Sequence, residues 1–393
     1  MITYIVRRFS QALVLTFLGS LIIYTVLVYL MPRSPYSRYT QFVALAQAQP
    51  DLQIKDPTDP YSTRPGLNVG LQVKELEGTF GLDKPWPLSF LAWLYDPADR
   101  TYISHATFAE EPKGLDIRIG SLHITGDGAL LGDWGNSEYV RAGQPTSGLI
   151  QNRYGNTLLL AVTALVMALL ISLSVGILGA VKQDSRLDHT LTFFSVAGLS
   201  MPPFVLGLFL IFGFAVIPYM LHNGLGWSWL PFLPPGGVVG LDQEEDWVSR
   251  AYHLVLPVTT LVLAQVAWLS RHVRFSMLDV LGKEYIRTAQ AKGARAGSVI
   301  LRHAFRNASL PLVTAMALAV PGVIAGMVVI ERLFAYPGMG LLFFDSISRA
   351  DPDTPLTLIL TVIMIVIATT SSMLADIVYG LVDPRIDYRA QRA

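Results

Sequence analysis

No cysteine occurs among the 393 residues. Disulfides, thiol catalysis and cysteine-ligated metal are excluded, and the redox compartment stays undefined. Charge is scarce: Asp, Glu, Lys and Arg make up 15% of the chain, where a soluble domain carries about 25%. The 29 basic and 29 acidic residues cancel, so no net field points to nucleic acid as a partner. Seven histidines (105, 123, 189, 222, 253, 272 and 303) are scattered, with no i, i+4 pair and no H-E-x-x-H. The expectation is no metal and no cofactor. A G-x-x-x-x-G-K-[ST] loop is also missing. "LGKEY" (Leu281–Tyr285) has a lysine but no glycine five residues before it and no following Ser or Thr. The chain therefore cannot cradle nucleotide phosphates. With no nucleophile elbow and no clustered His, Asp and Glu at one depth, it is expected not to be an enzyme.

What is present is apolar length. Hydrophobic residues make up 52% of the chain, which places it in the membrane class. A spanning helix needs about 20 mostly apolar residues. Six segments qualify: about Phe9–Met31, Tyr154–Val181, His189–Ile217, Tyr252–Phe275, Ala308–Ile330 and Pro355–Gly380. Runs this long are helical rather than alternating barrel strands. The first follows Arg7 and Arg8, exceeds a signal-peptide core and meets no small-x-small site before Pro32, so it reads as an uncleaved span. Pro202-Pro203 is expected to break the third span and Pro321-Gly322 the fifth.

Basic residues orient the spans. One alternating set of short segments holds fifteen Lys and Arg, from Arg7 and Arg8 through Lys182, Arg186 and the 271–306 region to Arg385, Arg389 and Arg392. The other set holds Arg250, Arg332 and Arg349. Both termini and the loop at 276–307 are thus expected in the cytoplasm, and the lipid bilayer is the solvent between. The fold class expected is an all-α membrane protein with six transmembrane helices. A large extracytoplasmic loop joins helices 1 and 2. The expected divisions are 1–31 (N-terminus and first helix), 32–153 (outer loop) and 154–393 (a five-helix core). Within the outer loop, "DIRIGSLHIT" (Asp116–Thr125) alternates apolar residues around Gly120-Ser121, as a β-hairpin does. "DPTDPYSTRPG" before it reads as turn and loop.

The stretch "EYIRTAQAKGARAGSVILRHAFRNASLP" (Glu284–Pro311) combines Arg287, Lys292, Arg295, Arg302 and Arg306 with small residues at 289, 291, 293, 294, 296 and 297. Anchoring to headgroups accounts for the charges but not for the packed small residues. Those let another backbone come close. Gly293 is placed to end a short helix, with a second, basic helix over Ser298–Asn307. A short helix with a small face and basic edges suits docking into a cleft on a cytoplasmic partner.

This stretch resembles the cytoplasmic coupling loop of binding-protein-dependent ABC importer permeases, specifically the B-type permease of the dipeptide/oligopeptide (and nickel) importers. That loop reads approximately E-Y-[VI]-R-T-A-[RK]-A-K-G, then a basic helix and Leu-Pro. Further resemblances follow in order: "GLDKPWPLSFLAWL" (Gly81–Leu94), "GDWGNSEYVRAGQP" (Gly132–Pro145), "NTLLLA" (Asn156–Ala161), "GLSMPPFVLGL" (Gly198–Leu208), "ERLFAYPGMGLL" (Glu331–Leu342) and "LVDPRIDY" (Leu381–Tyr388). Two departures lie on the outer side. About 35 residues, roughly 95–131, separate two segments that are nearly adjacent in the family. And "MPRSP" (Met31–Pro35) stands where the family usually has Pro-Gly-Asp-Pro.

The resemblance implies a translocation subunit for peptides or similar solutes. Its implied partners are a second, C-type permease, two ATP-binding subunits and an extracytoplasmic substrate-binding protein. It also implies that Glu284, Arg287, Thr288, Ala289, Lys292, Gly293 and Ala294 couple to the ATPases, with Arg287 and Lys292 pairing to partner carboxylates. A self-sufficient secondary transporter or channel is the alternative. It would require intramembrane charges or repeated halves, and the spans offer few polar groups: Asp376, Gln265 and Ser270. Structural pairing is expected for Asp376, and helix-to-helix hydrogen bonding for Gln265 and Ser270.

Overall fold

The computed structural model describes residues 2–48, 69–94, 117–119, 122–124, 129, 134–141, 144–224, 227, 229, 231–238, 247–348 and 352–382. Residues 242–246 ("DQEED"), the closing 383–388 and most of the 95–131 insertion lie outside the described residues. The described chain is mostly helical, and five helices are long and apolar enough to cross a membrane: Tyr4–Leu30, Thr146–Val181, Pro203–Gly224, Trp247–Leu281 and Thr354–Leu374.

Two compact units divide the chain. The first comprises 1–14, 154–341 and 366–393. Its spine is α6 (Tyr154–Val181) packed along α10 (Trp247–Leu281). The reason is written in α6. Ala164, Ala168, Ser172, Gly176 and Ala180 recur every fourth residue and are all buried, which lets the backbones approach as small residues do in membrane helices. A Cβ added at Gly176 would lie 2.4 Å from Val273 Cβ and 2.7 Å from the Ser270 carbonyl oxygen. Beside them run α7 (Arg186–Ser200), α8 (Pro203–Ile211), α9 (Ile217–Gly224) and α13 (Arg306–Leu333). A π-helical turn, Phe212–Val216, joins α8 to α9.

The third apolar span corrects the expected boundaries. His189–Ile217 is not one helix. α7 stops at Ser200, Met201 is extended (φ −97°, ψ 126°), and the apolar helix restarts at Pro203. A residue preceding proline is pushed out of the α region, and proline itself is welcome only in a first turn. Two consecutive prolines therefore end one helix and begin another. Pro321-Gly322 produces no such break, and α13 runs continuously through it. A membrane helix absorbs one lost hydrogen bond where neighbouring groups compensate.

The second unit comprises 15–153 and 342–365. It contains α2 (Pro35–Ala48), α3 (Val69–Phe80), α4 (Leu88–Leu94) and α5 (Thr146–Gln151), helices that the turn-rich sequence reading does not place. Its core gathers Tyr24, Val28, Phe80, Phe90, Trp93 and Leu358. The Tyr24 hydroxyl donates to the Phe80 carbonyl. Strands β1 (Ile117–Ile119) and β2 (Leu122–Ile124) pair antiparallel, with Ile117 opposite Ile124 and Ile119 opposite Leu122. Asp353 precedes α15 (Thr354–Val382) and is fully buried. Its Oδ2 accepts the Ser137 hydroxyl at 2.5 Å and the N–H groups of Tyr139 and Val140 at 3.1 and 3.0 Å. One carboxylate thereby holds the 137–140 turn against the start of a helix.

Candidate functional site

The basic, small-residue stretch folds as a short helix, a turn, and a distorted lead into α13. α11 spans Glu284–Ala291. Glu284 sits in its first turn, where a negative charge meets the positive end of the helix dipole. The helix ends in a Schellman motif. Gly293 N–H bonds the Gln290 carbonyl at 2.9 Å, and Ala294 N–H bonds the Ala289 carbonyl at 3.2 Å. Gly293 has φ +77°, the left-handed position this motif requires and glycine accepts without strain. After it come α12 (Ala296–Ser298) and a π-helical stretch, Val299–Phe305, continuous with α13.

The segment is fastened by one face. Ile286, Val299, Ala304 and Ala308 are buried together with Ala180 of α6 and Val273, Met277 and Val280 of α10. Ala289 and Ala294 are half-buried against the same cluster. Glu284, Arg287, Thr288, Lys292 and Gly293 lie on the exposed side. The seven expected coupling residues therefore divide: two hold the segment down and five face outward. Arg287 Nη1 lies 3.1 Å from Glu284 Oε1 within the same helix, both side chains being largely exposed. Such a pair is worth at most about 0.5 kcal/mol, so it leaves Arg287 available to a stronger acceptor. A Cβ on Gly293 would touch nothing among the described residues. Its glycine is demanded by the backbone, not by internal crowding. Lys292, Arg295, Arg302 and Arg306 add exposed positive charge nearby.

Above this segment, α10 is tied to the α6–α7 turn. Arg274 Nε and Nη2 donate to Asp188 Oδ1 and Oδ2, each at 2.7 Å. Asp188 Oδ2 also accepts the Asp184 N–H, and Ser185 caps α7 by accepting the Asp188 N–H. The Arg274 hydrogen bonds, helped by the Asp184 N–H, hold the Asp188 carboxyl below the usual carboxylate range against the opposing effect of burial. In the sequence, Arg274 counts only as one more inward-facing cation. No spacing rule in the sequence links it to a carboxylate 86 residues away.

Other polar groups fall into structural roles. Ser270 Oγ is 3.3 Å from Ser195 Oγ, one helix to the next. Asp376 pairs with Arg8 at 3.2 Å, and Tyr4 donates to the Asp376 carbonyl. Glu331, fully buried at the end of α13, accepts the Thr157 hydroxyl at 2.7 Å and the Leu341 N–H at 2.9 Å. Tyr336 beside it has its hydroxyl pushed up to about 12 by burial, with the Glu331 charge adding and Arg250 opposing. Thus "ERLFAYPGMG" folds around its own glutamate. A Cβ at Gly338 would lie 2.3 Å from that carboxylate.

Residues 172–388, which include the whole coupling stretch, match the family described as binding-protein-dependent transport system inner membrane component. The chain is 43% identical over 259 residues to the oligopeptide transport system permease protein AppB of Bacillus subtilis, covering 66% of this chain and 77% of that one. It is 36% identical to the oligopeptide transport system permease protein OppB of Haemophilus influenzae, covering 65% and 76%. To the dipeptide transport system permease protein DppB of Escherichia coli it is 35% identical, covering 67% and 79%.

Proposed function

The chain belongs to the family of binding-protein-dependent transport system inner membrane components, and from that premise we propose that it is the B-type permease of a peptide importer, coupled to partner ATPases through residues 276–307. The observation that carries the coupling role is the division of α11 into a buried anchor at Ile286 and an outward row of Glu284, Arg287, Thr288, Lys292 and Gly293. A segment fixed to two spanning helices by one face and bare on the other is a lever. Force on the bare face reaches α6 and α10 through Ala180, Val273, Met277 and Val280. A closing ATPase pair would thereby bias the bundle between two states.

In this reading there are six spans. The fifth in chain order, about Ala308–Ile330, lies within α13 and joins the five long apolar helices to make six. Both termini and the 276–307 loop face the cytoplasm. Residues 32–153, including the hairpin and the 95–131 insertion, form an outer platform. A C-type permease completes the translocation path, two ATP-binding subunits supply energy, and an external binding protein delivers the cargo. The names of the relatives support peptides as that cargo.

The test is capture of the tagged chain from its own membranes in mild detergent, with the co-purifying proteins identified by mass spectrometry. Two membrane subunits and P-loop ATPases are expected. Lys292→Glu, at an exposed position, should release the ATPases and keep the second permease. A chain that comes down alone and still transports would overturn the assignment and favour a secondary transporter.

A further inference from the structure

The apolar helix Pro203–Gly224 is 22 residues long. At 1.5 Å per residue that is about 33 Å, close to the roughly 30 Å of a hydrocarbon core. Chain that continues past Gly224 would ordinarily stay in water. Instead the Leu233 N–H donates to the Phe214 carbonyl at 2.8 Å, within the π-helical turn Phe212–Val216. Phe214 lies ten residues before Gly224, about 15 Å back along the axis. The chain has left the helix and returned alongside it.

It is fixed there by a second contact. The Gly237 N–H donates to the Phe334 carbonyl at 2.9 Å, just past the end of α13. Gly236 packs so close that an added Cβ would collide with the same carbonyl. Leu233 and Val238 pack against the cluster that contains Leu254, Phe334 and Tyr336. Irregular backbone at membrane depth is tolerated only where protein surrounds it and its polar groups are met. Pro231, Pro234 and Pro235 carry no N–H, which leaves five such groups over 231–238. Two of the five are the Leu233 and Gly237 donors. The proline content thus suits a segment that cannot rely on water.

The flanking side chains match a lipid boundary. Trp229 and Trp247 are 74% and 73% exposed, and Trp227 stacks on Trp229 with ring centroids 6.0 Å apart. Tyr219 of α9 meets Phe232 edge to face, centroids 5.3 Å apart. The exposed aromatic surface is therefore continuous from the spanning helix to the returning segment. Trp and Tyr are enriched where acyl chains meet headgroups, because each joins an apolar ring to a polar edge.

We propose that residues 231–238 form a re-entrant segment, and that Trp227, Trp229 and Trp247 beside it are seated in phospholipid at the acyl–headgroup boundary. This requires only the spanning helices and does not rest on the import reading. The test places the photo-cross-linker p-benzoylphenylalanine at position 229 or 247 of the full chain in its own membranes, with its partners present. Position 209 is the control, since Phe209 is exposed on the spanning helix. After irradiation, mass spectrometry should find phospholipid adducts at 229 and 247 in yield comparable to that at 209. Gly236→Ala, which pushes the segment off Phe334, should cause loss of the adduct at 229 and leave the one at 209. A cross-link from 229 and 247 to another protein or to a second copy of this chain would overturn the proposal and assign the surface to that partner. No adduct at either position, with the control intact, would overturn it in favour of a segment in water. An adduct at 229 that survives Gly236→Ala undiminished would refute the re-entrant packing as the cause.

Discussion

Replacing Asp188 with Asn tests whether the tie between α10 and the α6–α7 turn holds the bundle in register above the coupling segment. The substitution keeps the shape and removes the charge. Both Arg274 bonds, at 2.7 Å, change from charge-assisted to weaker ones, and one of the two must be lost because an amide offers a single acceptor. Breaking a buried pair by removing one partner costs about 3–5 kcal/mol. The Asp188 side chain is 3% exposed but that of Arg274 is 22% exposed. Water can reach the stranded guanidinium, which lowers the expected loss to about 2–3 kcal/mol. Thermal unfolding of the purified chain in mild detergent, for Asp188→Asn, Arg274→Gln and the double variant, reads this directly. The double variant should lose less than the sum of the single ones, by about 2 kcal/mol. The pH dependence has a definite sign. The folded carboxyl titrates below its unfolded value, so its contribution is complete above the ordinary aspartate range. It fades as pH falls through the lowered folded value. The pair is therefore indifferent to pH between about 5 and 8 and fails only below about pH 4. An Asp188→Asn chain within about 0.5 kcal/mol of the wild type, or additive losses in the double variant, would refute this account of the clamp.

Three other substitutions follow from particular distances. Gly293→Ala should cost about 1 kcal/mol, because φ +77° is unfavourable for a side chain while the added carbon meets no atom among the described residues; thermal unfolding checks it, and Gly293→Asn should cost less. Gly176→Val should fail more severely, since its side chain collides with Val273 and with backbone at Ser270. Overpacking costs about 1–3 kcal/mol, seen as a lower yield of monodisperse protein, while Ala168→Gly should leave that yield high. Asp353→Ala removes the acceptor for Ser137, Tyr139 and Val140, and each stranded donor costs about 1–3 kcal/mol. Limited proteolysis should then cut within 134–141, and unchanged resistance there would remove Asp353 from its role as the pin of that turn.

The parts legible from sequence are those that a local rule dictates. Gly293 ends α11 because a Schellman turn has one place for glycine, and the small-and-basic order around it needed no knowledge of distant chain. The double proline at 202 and 203 forecast a break for the same reason. Where the span then restarts is also local in hindsight: proline belongs in a first turn, so the apolar helix begins at Pro203 and runs to Gly224, not from His189. What could not be read is partnership at long range. Arg274 and Arg302 look alike as sequence, each a cation in one basic region. One is locked to a carboxylate 86 residues away and the other lies exposed. The same holds within the expected docking set. Ala289 and Thr288 are adjacent, yet the helical turn of about 100° between neighbours sends one to the core and the other to the exposed side. Small residues therefore carried two messages that composition merges. Those on α6 and at 289 and 294 permit packing inside this chain, whereas Gly293 permits a backbone turn and leaves the outward face bare. A partner reading that face meets Glu284, Arg287, Thr288 and Lys292 as its chemistry, and the glycine only as the geometry that presents them.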